Sequence, residues 1–318
     1  MKKMVSRWSW LMALVLMVSF AGNVWAQSKP EPASIAFNFK LAELLKSDLG
    51  QAIPMDQVTG GPGGEIAEAF LKAQSIRGVV TLPEDVGAFM MMQGDQLPID
   101  AYVELAYDDS SESKEALETI ADELEGQSDI REEGDLRYFS PKGQETNIAI
   151  ILGIPGKVVF LTDTYKHDSA NFENVTDSIK DAMKKAGAAP AGIFLDFDQA
   201  RPLIKSAIKM GRQTAPPAAA GFFEIPSQIS LLQLVGNPGK EPALTLTAIS
   251  PDEEQAEMLQ ETLQGLVGMG KMAMQQAPPD DPGAKVANGI LGQLKPKREG
   301  KVVTLSLSKI EGLEDILP

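Results

Sequence analysis

His167 is the only histidine in the 318-residue chain, which contains no cysteine. Catalytic triads and histidine-dependent metal or phosphohistidine mechanisms would therefore all depend on His167. It lies in the segment Tyr165–Ser169, after a predicted strand, and its neighbours Asp168 and Ser169 are adjacent to it only in sequence. We interpret His167 as an exposed loop residue. The lack of cysteine excludes disulfides, thiolate catalysis, cysteine-ligated zinc and iron–sulfur clusters.

The spacing Ser-x-x-Lys occurs at Ser111/Lys114 and at Ser206/Lys209. In penicillin-binding proteins this spacing places a lysine amine beside a nucleophilic serine on a helix. No Lys-Thr-Gly or Ser-Asp-Asn sequence accompanies either pair. Both pairs are therefore interpreted as solvated positions on helices.

The glycine-rich segment Gly60–Gly64 could suggest a phosphate-binding loop. A P-loop ends in Gly-Lys-Ser/Thr, whereas Glu65 follows here, and Pro62 removes a backbone donor. The segment is predicted to be a flexible connection before a helix at Glu65–Gln74.

Three pairs of adjacent carboxylates stand out, namely Asp108/Asp109, Glu132/Glu133 and Asp280/Asp281. No Asp-x-Asp-x-Asp-Gly pattern typical of a calcium loop is present. Asp108 and Asp109 are predicted to supply the N-cap and first-turn charge of a helix. Glycosidase carboxylates have no diagnostic spacing, so a carboxylate-dependent hydrolase stays an alternative.

Methionine is the unusual apolar residue of this chain. Met90–Met92 lie in a predicted strand, and a long helix of the second half carries Met258, Met269, Met272 and Met274. Methionine fills irregular gaps in cores and also lines adaptable binding surfaces. Core packing is the prediction, and an apolar binding surface is the alternative. Thioether copper sites are disfavoured because the accompanying histidines are missing.

The first 26 residues predict export. Lys2, Lys3 and Arg7 precede an apolar stretch at Leu11–Phe20, and Val24-Trp25-Ala26 matches the site that signal peptidase cleaves. Cleavage after Ala26 is expected to release a soluble protein into the periplasm or the medium. Lipoprotein anchoring needs a cysteine, which the chain lacks.

The formal net charge of −15 restricts the possible partners. The leader carries three basic residues and no acidic ones, so the chain that remains after its removal is more acidic still. Such a surface repels phosphate backbones and anionic membranes, which argues against nucleic acid as a partner.

The elements that would position any site occur twice along the chain. A strand at Ile35–Phe39 followed by a helix at Leu41–Ile53 resembles a strand at Ile193–Phe197 followed by a helix at Ala200–Ile208. The pattern continues in matching pairs of strands: Ile76–Leu82 with Ile229–Val235, Tyr102–Ala106 with Leu244–Ala248, and Glu133–Phe139 with Glu299–Leu305.

An acidic helix start precedes the last strand of each half. The second start predicts a capping box, with Ser250 as N-cap, Pro251 at N1 and Glu253 at N3. Each half therefore reads β-α-β-β-α-β, and the predicted fold is α+β, with two related ferredoxin-like halves whose helices cover one face of a mainly antiparallel sheet.

The first half also carries elements without a counterpart. They are a strand at Val86–Met92, a hairpin at Asn147–Thr162, and a helix at Asn174–Ala186 that ends at Gly187. The expected organisation is a signal peptide (1–26), a linker (27–33), a first half (34–188) and a second half (189–318).

The chain resembles a group of uncharacterised exported proteins from planctomycete-type bacteria. The resemblance rests on the alanine-ended leader, on the strand-to-helix openings at Phe37–Leu41 and Leu195–Gln199, and on the closing strand Gly300–Leu307. It implies an α+β fold and export, and no catalytic residues accompany it.

No catalytic, cofactor-binding or metal-binding residue is assigned from the sequence, and no cofactor is expected. The predicted function is non-enzymatic binding or scaffolding, with a protein partner or an apolar small molecule held at a groove or an open sheet face. A carrier of an apolar ligand and a carboxylate-dependent hydrolase are the alternatives.

Overall fold

The computed structural model describes residues 32–47, 64–82, 100–142, 148–162, 169–214, 225–275 and 282–308. They form two compact units. The first comprises the described residues up to Glu43 and between Met55 and Thr176, and the second comprises those from Leu44 to Pro54 and from Asp177 onward. Each unit combines an antiparallel sheet with helices, which confirms the predicted α+β class.

The described part of the first unit has seven strands and three helices. The strands are β1 (Ile35–Phe39), β2 (Ser75–Thr81), β3 (Asp100–Ala106), β4 (Ser128–Glu133), β5 (Leu136–Pro141), β6 (Ile148–Leu152) and β7 (Lys157–Thr162). The helices are α1 (Leu41–Leu45), whose last two residues are assigned to the second unit, α2 (Gly64–Leu71) and α3 (Ser111–Glu125). The strands lie in the order β1-β2-β3-β7-β6-β5-β4, and every neighbouring pair is antiparallel.

Helices α2 and α3 cover one face of this sheet. Their apolar residues, among them Phe70 and Ile120, pack against the alternate strand residues Val103, Leu105 and Phe160. Because successive residues of a strand point to opposite faces, Tyr102 and Glu104 lie on the face away from these helices.

The described part of the second unit has five strands and four helices. The strands are β8 (Ala191–Asp196), β9 (Leu231–Gly236), β10 (Leu244–Ile249), β11 (Lys297–Glu299) and β12 (Val302–Leu307). The helices are α4 (Asp177–Ala186), α5 (Phe197–Thr214), α6 (Glu253–Met274) and α7 (Pro282–Gln293). The strands lie in the order β8-β9-β10-β12-β11, again with every pair antiparallel.

The core of the second unit lies under the N-terminal half of α6. Ala256 and Leu259 of this helix pack against Ala248 of β10 and Val303 of β12, and all four are buried. Phe197 and Leu263 pack at the edge of the same cluster.

Helix α4 belongs to the second unit, whereas the sequence-based boundary at 188/189 assigns it to the first half. Its buried residues Ile179 and Ala182 lie on a helix that packs against β8 and β9. The difference arises because the amphipathic pattern predicts the helix but not the sheet that receives its apolar face. Its predicted end is confirmed, since Gly187 takes a left-handed backbone with φ 60°.

The ferredoxin-like arrangement of the halves is not confirmed by the strand order. A split βαβ unit holds the two helix-connected strands parallel, with another strand between them. Here β1 pairs directly and antiparallel with β2, and β8 does the same with β9. The α+β class is confirmed, whereas the predicted ferredoxin-like pairing of the strands is not.

The two strand orders agree apart from one inserted hairpin. Without β6 and β7 the first unit would read β1-β2-β3-β5-β4, which matches β8-β9-β10-β12-β11. The hairpin predicted at Asn147–Thr162 is therefore an insertion between β3 and β5. The strand predicted at Val86–Met92 lies outside the described residues.

Each unit closes its sheet with a hairpin where a single strand was predicted. Gly134 (φ 62°) turns β4 into β5, and Gly300 (φ 56°) turns β11 into β12. Both glycines adopt the left-handed conformation that tight hairpin turns require. Most residues of the outer strands β4 and β11 are charged and exposed, and β11 has only three residues.

Candidate functional site

Glu104 is the most buried charged group in the described residues, with a side chain only 3% exposed. Arg77 lies directly opposite on β2 and donates from Nη2 and Nε to Glu104 Oε1, at 2.8 and 3.2 Å. Lys157 Nζ donates to Oε2 at 3.1 Å, and the Tyr102 hydroxyl lies 3.4 Å from the same oxygen. Both carboxylate oxygens are therefore occupied by donors.

An aromatic side chain covers the arginine of this cluster. The guanidinium of Arg77 lies 3.9 Å from the centroid of the Phe172 ring, which also meets Tyr102 edge-on at 5.1 Å. Phe172 belongs to the 3-10 turn Ser169–Glu173. The cluster thus fastens this turn to the sheet through a cation–π contact and a buried ion pair.

Asp196 is the second buried carboxylate in the described part of the chain. Its Oδ1 accepts hydrogen bonds from the backbone N–H groups of Asp198 and Gln199, at 3.0 and 3.1 Å. This is the geometry of an N-cap, and it stabilises the start of α5. Its burial therefore has a structural explanation.

Asp108 lies one turn before α3, and its carboxylate accepts hydrogen bonds from four donors. Its Oδ1 accepts from Ser110 N and from the Ser110 and Ser113 hydroxyls, and its Oδ2 accepts from Gln74 at 3.0 Å. The Ser110 and Ser113 hydroxyls, then the Ser110 N–H, hold the pKa of Asp108 at about 2. The N-cap itself is Ser110, so the prediction that Asp108 or Asp109 caps the helix is wrong. Asp108 lies two residues before Ser110 and orients the capping side chain by accepting a hydrogen bond from its hydroxyl.

Glu132 and Glu133 lie on the exposed edge strand β4. Glu133 pairs with Arg131 at 3.5 Å. Burial of the Tyr138 ring, followed by the charge and hydrogen bond of Glu133, raises the pKa of the Tyr138 phenol. Glu132 and Glu133 are therefore solvated residues of an edge strand, beside the buried Tyr138.

The start of helix α6 differs from the predicted capping box. Asp252 is the N-cap, and its carboxylate accepts from the Gln255 N–H at 2.8 Å and from the Gln255 amide at 3.2 Å. Ser250 is buried, its N–H donates to Lys301 O at 2.9 Å, and its hydroxyl has no hydrogen-bond partner among the described residues. Strand β10 runs to Ile249 and β-type pairing continues at Ser250, so the helix starts two residues later than predicted.

Helix α6 carries an exposed apolar face, which we call the methionine stripe: Met258, Gly265, Met269 and Met272. The three methionines are 46%, 47% and 59% exposed. Met269 follows Met258 by eleven residues, or about three helical turns, and Met272 lies one further turn along, so their side chains share one face. The expectation that they fill the core is wrong for these three, whereas Met274 is half-buried.

The opposite side of α6 makes the packing contacts. Ala256 and Leu259 are buried in the core of the unit, and Leu263 packs at its edge. Further along, a Cβ at Gly270 would lie 3.1 Å from Leu291 of α7, which shows how closely α6 and α7 approach. The core of the second unit therefore does not need the methionine stripe.

Other residues considered in the sequence do not form a site in the described structure. Ser111 and Lys114 are both exposed on α3. Lys209 is exposed on α5. Several candidates lie outside the described residues: His167, Met90–Met92, Asp280/Asp281, the predicted signal peptide (1–26) and all but the last residue of Gly60–Gly64.

The composition of the described segments bears on metal binding and on membrane crossing. They contain no group of three or more histidine, cysteine, aspartate or glutamate residues placed to hold a metal ion. No helix within them has the length and apolar character that a membrane span needs.

Comparison with known proteins gives only a weak likeness. No family model and no curated protein matches the chain. Crystal form III of TP0453 superposes with a TM-score of 0.46 and 7% identity, and covers 92% of this chain and 98% of its own. Crystal form IV gives 0.45 and 7%, with 97% and 98% covered. Values this low support no conclusion about function.

Proposed function

We propose that this chain is a non-enzymatic binding protein that takes a protein partner on the methionine stripe of α6. The observation that carries the proposal is the exposure of Met258, Met269 and Met272 along about 21 Å of one helix face. Methionine side chains are flexible and polarizable, so such a face adapts to the apolar side of a partner. Exposed apolar side chains that share one face of a helix are typical of an interaction surface.

The two alternatives from the sequence fit the described residues less well. A carboxylate-dependent hydrolase needs a carboxyl group that is free to exchange a proton, whereas both oxygens of Glu104 are occupied and Asp196 caps a helix. A carrier of an apolar ligand would enclose the ligand, whereas the methionine stripe faces outward.

Export is part of the proposal and rests on the leader. The basic residues Lys2, Lys3 and Arg7, the apolar stretch Leu11–Phe20 and the cleavage pattern that ends at Ala26 support it. So does the resemblance to exported planctomycete-type proteins. N-terminal sequencing of exported material should find Gln27 first, and a mature chain that begins at Met1 would contradict cleavage.

We also infer that the two units arose by duplication. The support is the shared order of five strands, interrupted in the first unit only by the β6–β7 hairpin. Sequence profiles built separately for each half from homologues of this chain should align these five strands in the same register. Profiles that match only with different strand pairs would contradict the inference.

The lack of cysteine allows a direct test of the binding surface. Met269→Cys gives a single thiol on the stripe, and Lys114→Cys gives one on the exposed face of α3. Each protein is labelled with a thiol-reactive photo-crosslinker and irradiated in extracts of the producing cells. A discrete partner is expected from position 269 and not from position 114.

Competition makes the test specific. Excess unlabelled wild-type protein should remove the crosslinked product, whereas a variant carrying Met258→Gln, Met269→Gln and Met272→Gln should not. Equal crosslinking from both positions, or equal competition by the triple variant, would contradict the proposed surface.

A further inference from the structure

The N-terminal half of the methionine stripe is acidic. Glu254 precedes Met258 by four residues and Glu261 follows it by three, so both carboxylates lie on the same helix face as the methionine. Both side chains are exposed, and neither forms an ion pair with another described residue. Among the described residues, two carboxylates without an ion-pair partner therefore flank the first methionine of the stripe.

The C-terminal half of the stripe is apolar and open. Nothing lies within 4 Å of the place where a Cβ would stand on Gly265 or Gly268. Met269 and Met272 follow on the same face. A partner backbone can therefore approach α6 closely here, between flexible methionine side chains.

We propose that the methionine stripe binds a helical protein segment that carries lysine or arginine at one end and apolar residues at the other. This inference rests on the proposed function and specifies the chemistry of the partner. The cationic end would lie over Glu254 and Glu261, and the apolar end over Gly265, Met269 and Met272. The stripe spans about four helical turns, which suits a partner helix of about 14 residues.

Charge decides between this partner and the other possible occupants. A second copy of the chain brings another net charge of −15. If its methionine stripe lay against the first, it would offer no cation to Glu261, whose charge would then be buried without a partner. An anionic lipid surface is repelled by the same carboxylates. A cationic helix neutralises both glutamates and covers the methionines.

Three synthetic peptides test the proposal with the full-length mature protein. Each has 16 residues, leucines along one helix face and capped ends. Four variable positions at one end carry lysine in the first peptide, glutamine in the second and glutamate in the third. Affinity is measured by fluorescence anisotropy, and peroxide oxidation of Met258, Met269 and Met272 is followed by mass spectrometry.

The lysine peptide is expected to bind most tightly and to protect the three methionines from oxidation. Its affinity should fall as salt is raised, because the paired charges are exposed. The double variant Glu254→Gln/Glu261→Gln should weaken it roughly five- to tenfold. The control Glu115→Gln/Glu118→Gln removes the same charge from α3 and should change nothing.

Several outcomes would overturn the inference. They are equal affinity for the lysine and glutamine peptides, equal weakening by the two double variants, self-association of the protein that protects the methionines without peptide, and failure of all three peptides to protect them. The proposed function is judged separately by the crosslinking experiment, which makes no assumption about the charge of the partner.

Discussion

Arg77 and Glu104 face each other across β2 and β3, and their charged groups meet at 2.8 Å on the sheet face away from α2 and α3. Glu104 is 3% exposed while Arg77 is 39% exposed, so the carboxylate is buried and its partner reaches solvent. A buried carboxylate deprived of its arginine would keep its desolvation penalty and lose its main compensation.

Arg77→Met should therefore lower the free energy of unfolding by about 2 kcal/mol, somewhat less than for a fully buried pair because Arg77 is partly solvated. Arg131→Met is a matched control, since Arg131 also pairs with a glutamate and lies over an aromatic ring, but at an exposed site. It should cost less than about 1 kcal/mol. Urea unfolding of both variants measures the difference, and equal losses would show that burial of Glu104 adds nothing.

The cap of α6 gives a second prediction. Asp252→Ala removes the acceptor for the Gln255 N–H and should destabilise the protein by about 1 kcal/mol. Ser250→Ala removes a buried hydroxyl that has no hydrogen-bond partner among the described residues and should be close to neutral. Denaturant midpoints of the two variants decide between the two N-caps, and a larger loss for Ser250→Ala would restore the capping box predicted from the sequence.

The ionisation of Asp108 should make the stability of the folded protein depend on pH in acid. Its folded pKa of about 2 lies below its ordinary value of 3.8, so the ionised form is favoured in the folded state. Its contribution to stability is complete above about pH 4 and is lost as the pH falls from about 4 to about 2. Carboxyl NMR titration measures this pKa. Ser113→Ala should raise it, and Gln74→Ala should raise it less.

Two glycines with positive φ should respond differently to alanine. At Gly187 (φ 60°) nothing lies within 4 Å of an added Cβ, so Gly187→Ala should cost only the backbone strain of about 1 kcal/mol. At Gly153 (φ 100°) an added Cβ would lie 2.0 Å from Asp135 O. Gly153→Ala should therefore destabilise the first unit by clearly more. Similar thermal midpoints for the two variants would contradict the close approach at Gly153.

The sequence predicts the position of a strand along the chain, because a local pattern of residues marks it. It does not predict features that depend on which strands pair. The alternation in Tyr102–Ala106 identifies β3, but it does not show that Glu104 is buried. The burial of Glu104 depends on Arg77 and Lys157, which are 27 and 53 residues away in the chain. No local periodicity contains that information, so the ion-pair cluster was not predicted.

The methionine stripe and the α6 cap show the same limit at shorter range. The run Ser250–Gln255 contains two overlapping capping boxes, and the end of strand β10 selects the second. The methionine spacing identifies one helix face, but the sequence does not reveal that Ala256 and Leu259 on the other side already fill the core. The choice between packing and exposure depends on the neighbours of the helix.

The charged outer strands β4 and β11 affect whether another chain can add a strand to the edge of either sheet. An exposed strand edge offers backbone donors and acceptors to any passing chain, and short, charged edge strands discourage that addition. The charged side chains of β4 (Asp129, Arg131, Glu132 and Glu133) and the three-residue length of β11 thus disfavour aggregation through edge pairing. The proposed binding surface lies on a helix, where the backbone groups are already hydrogen-bonded and a partner must match side chains instead of adding a strand.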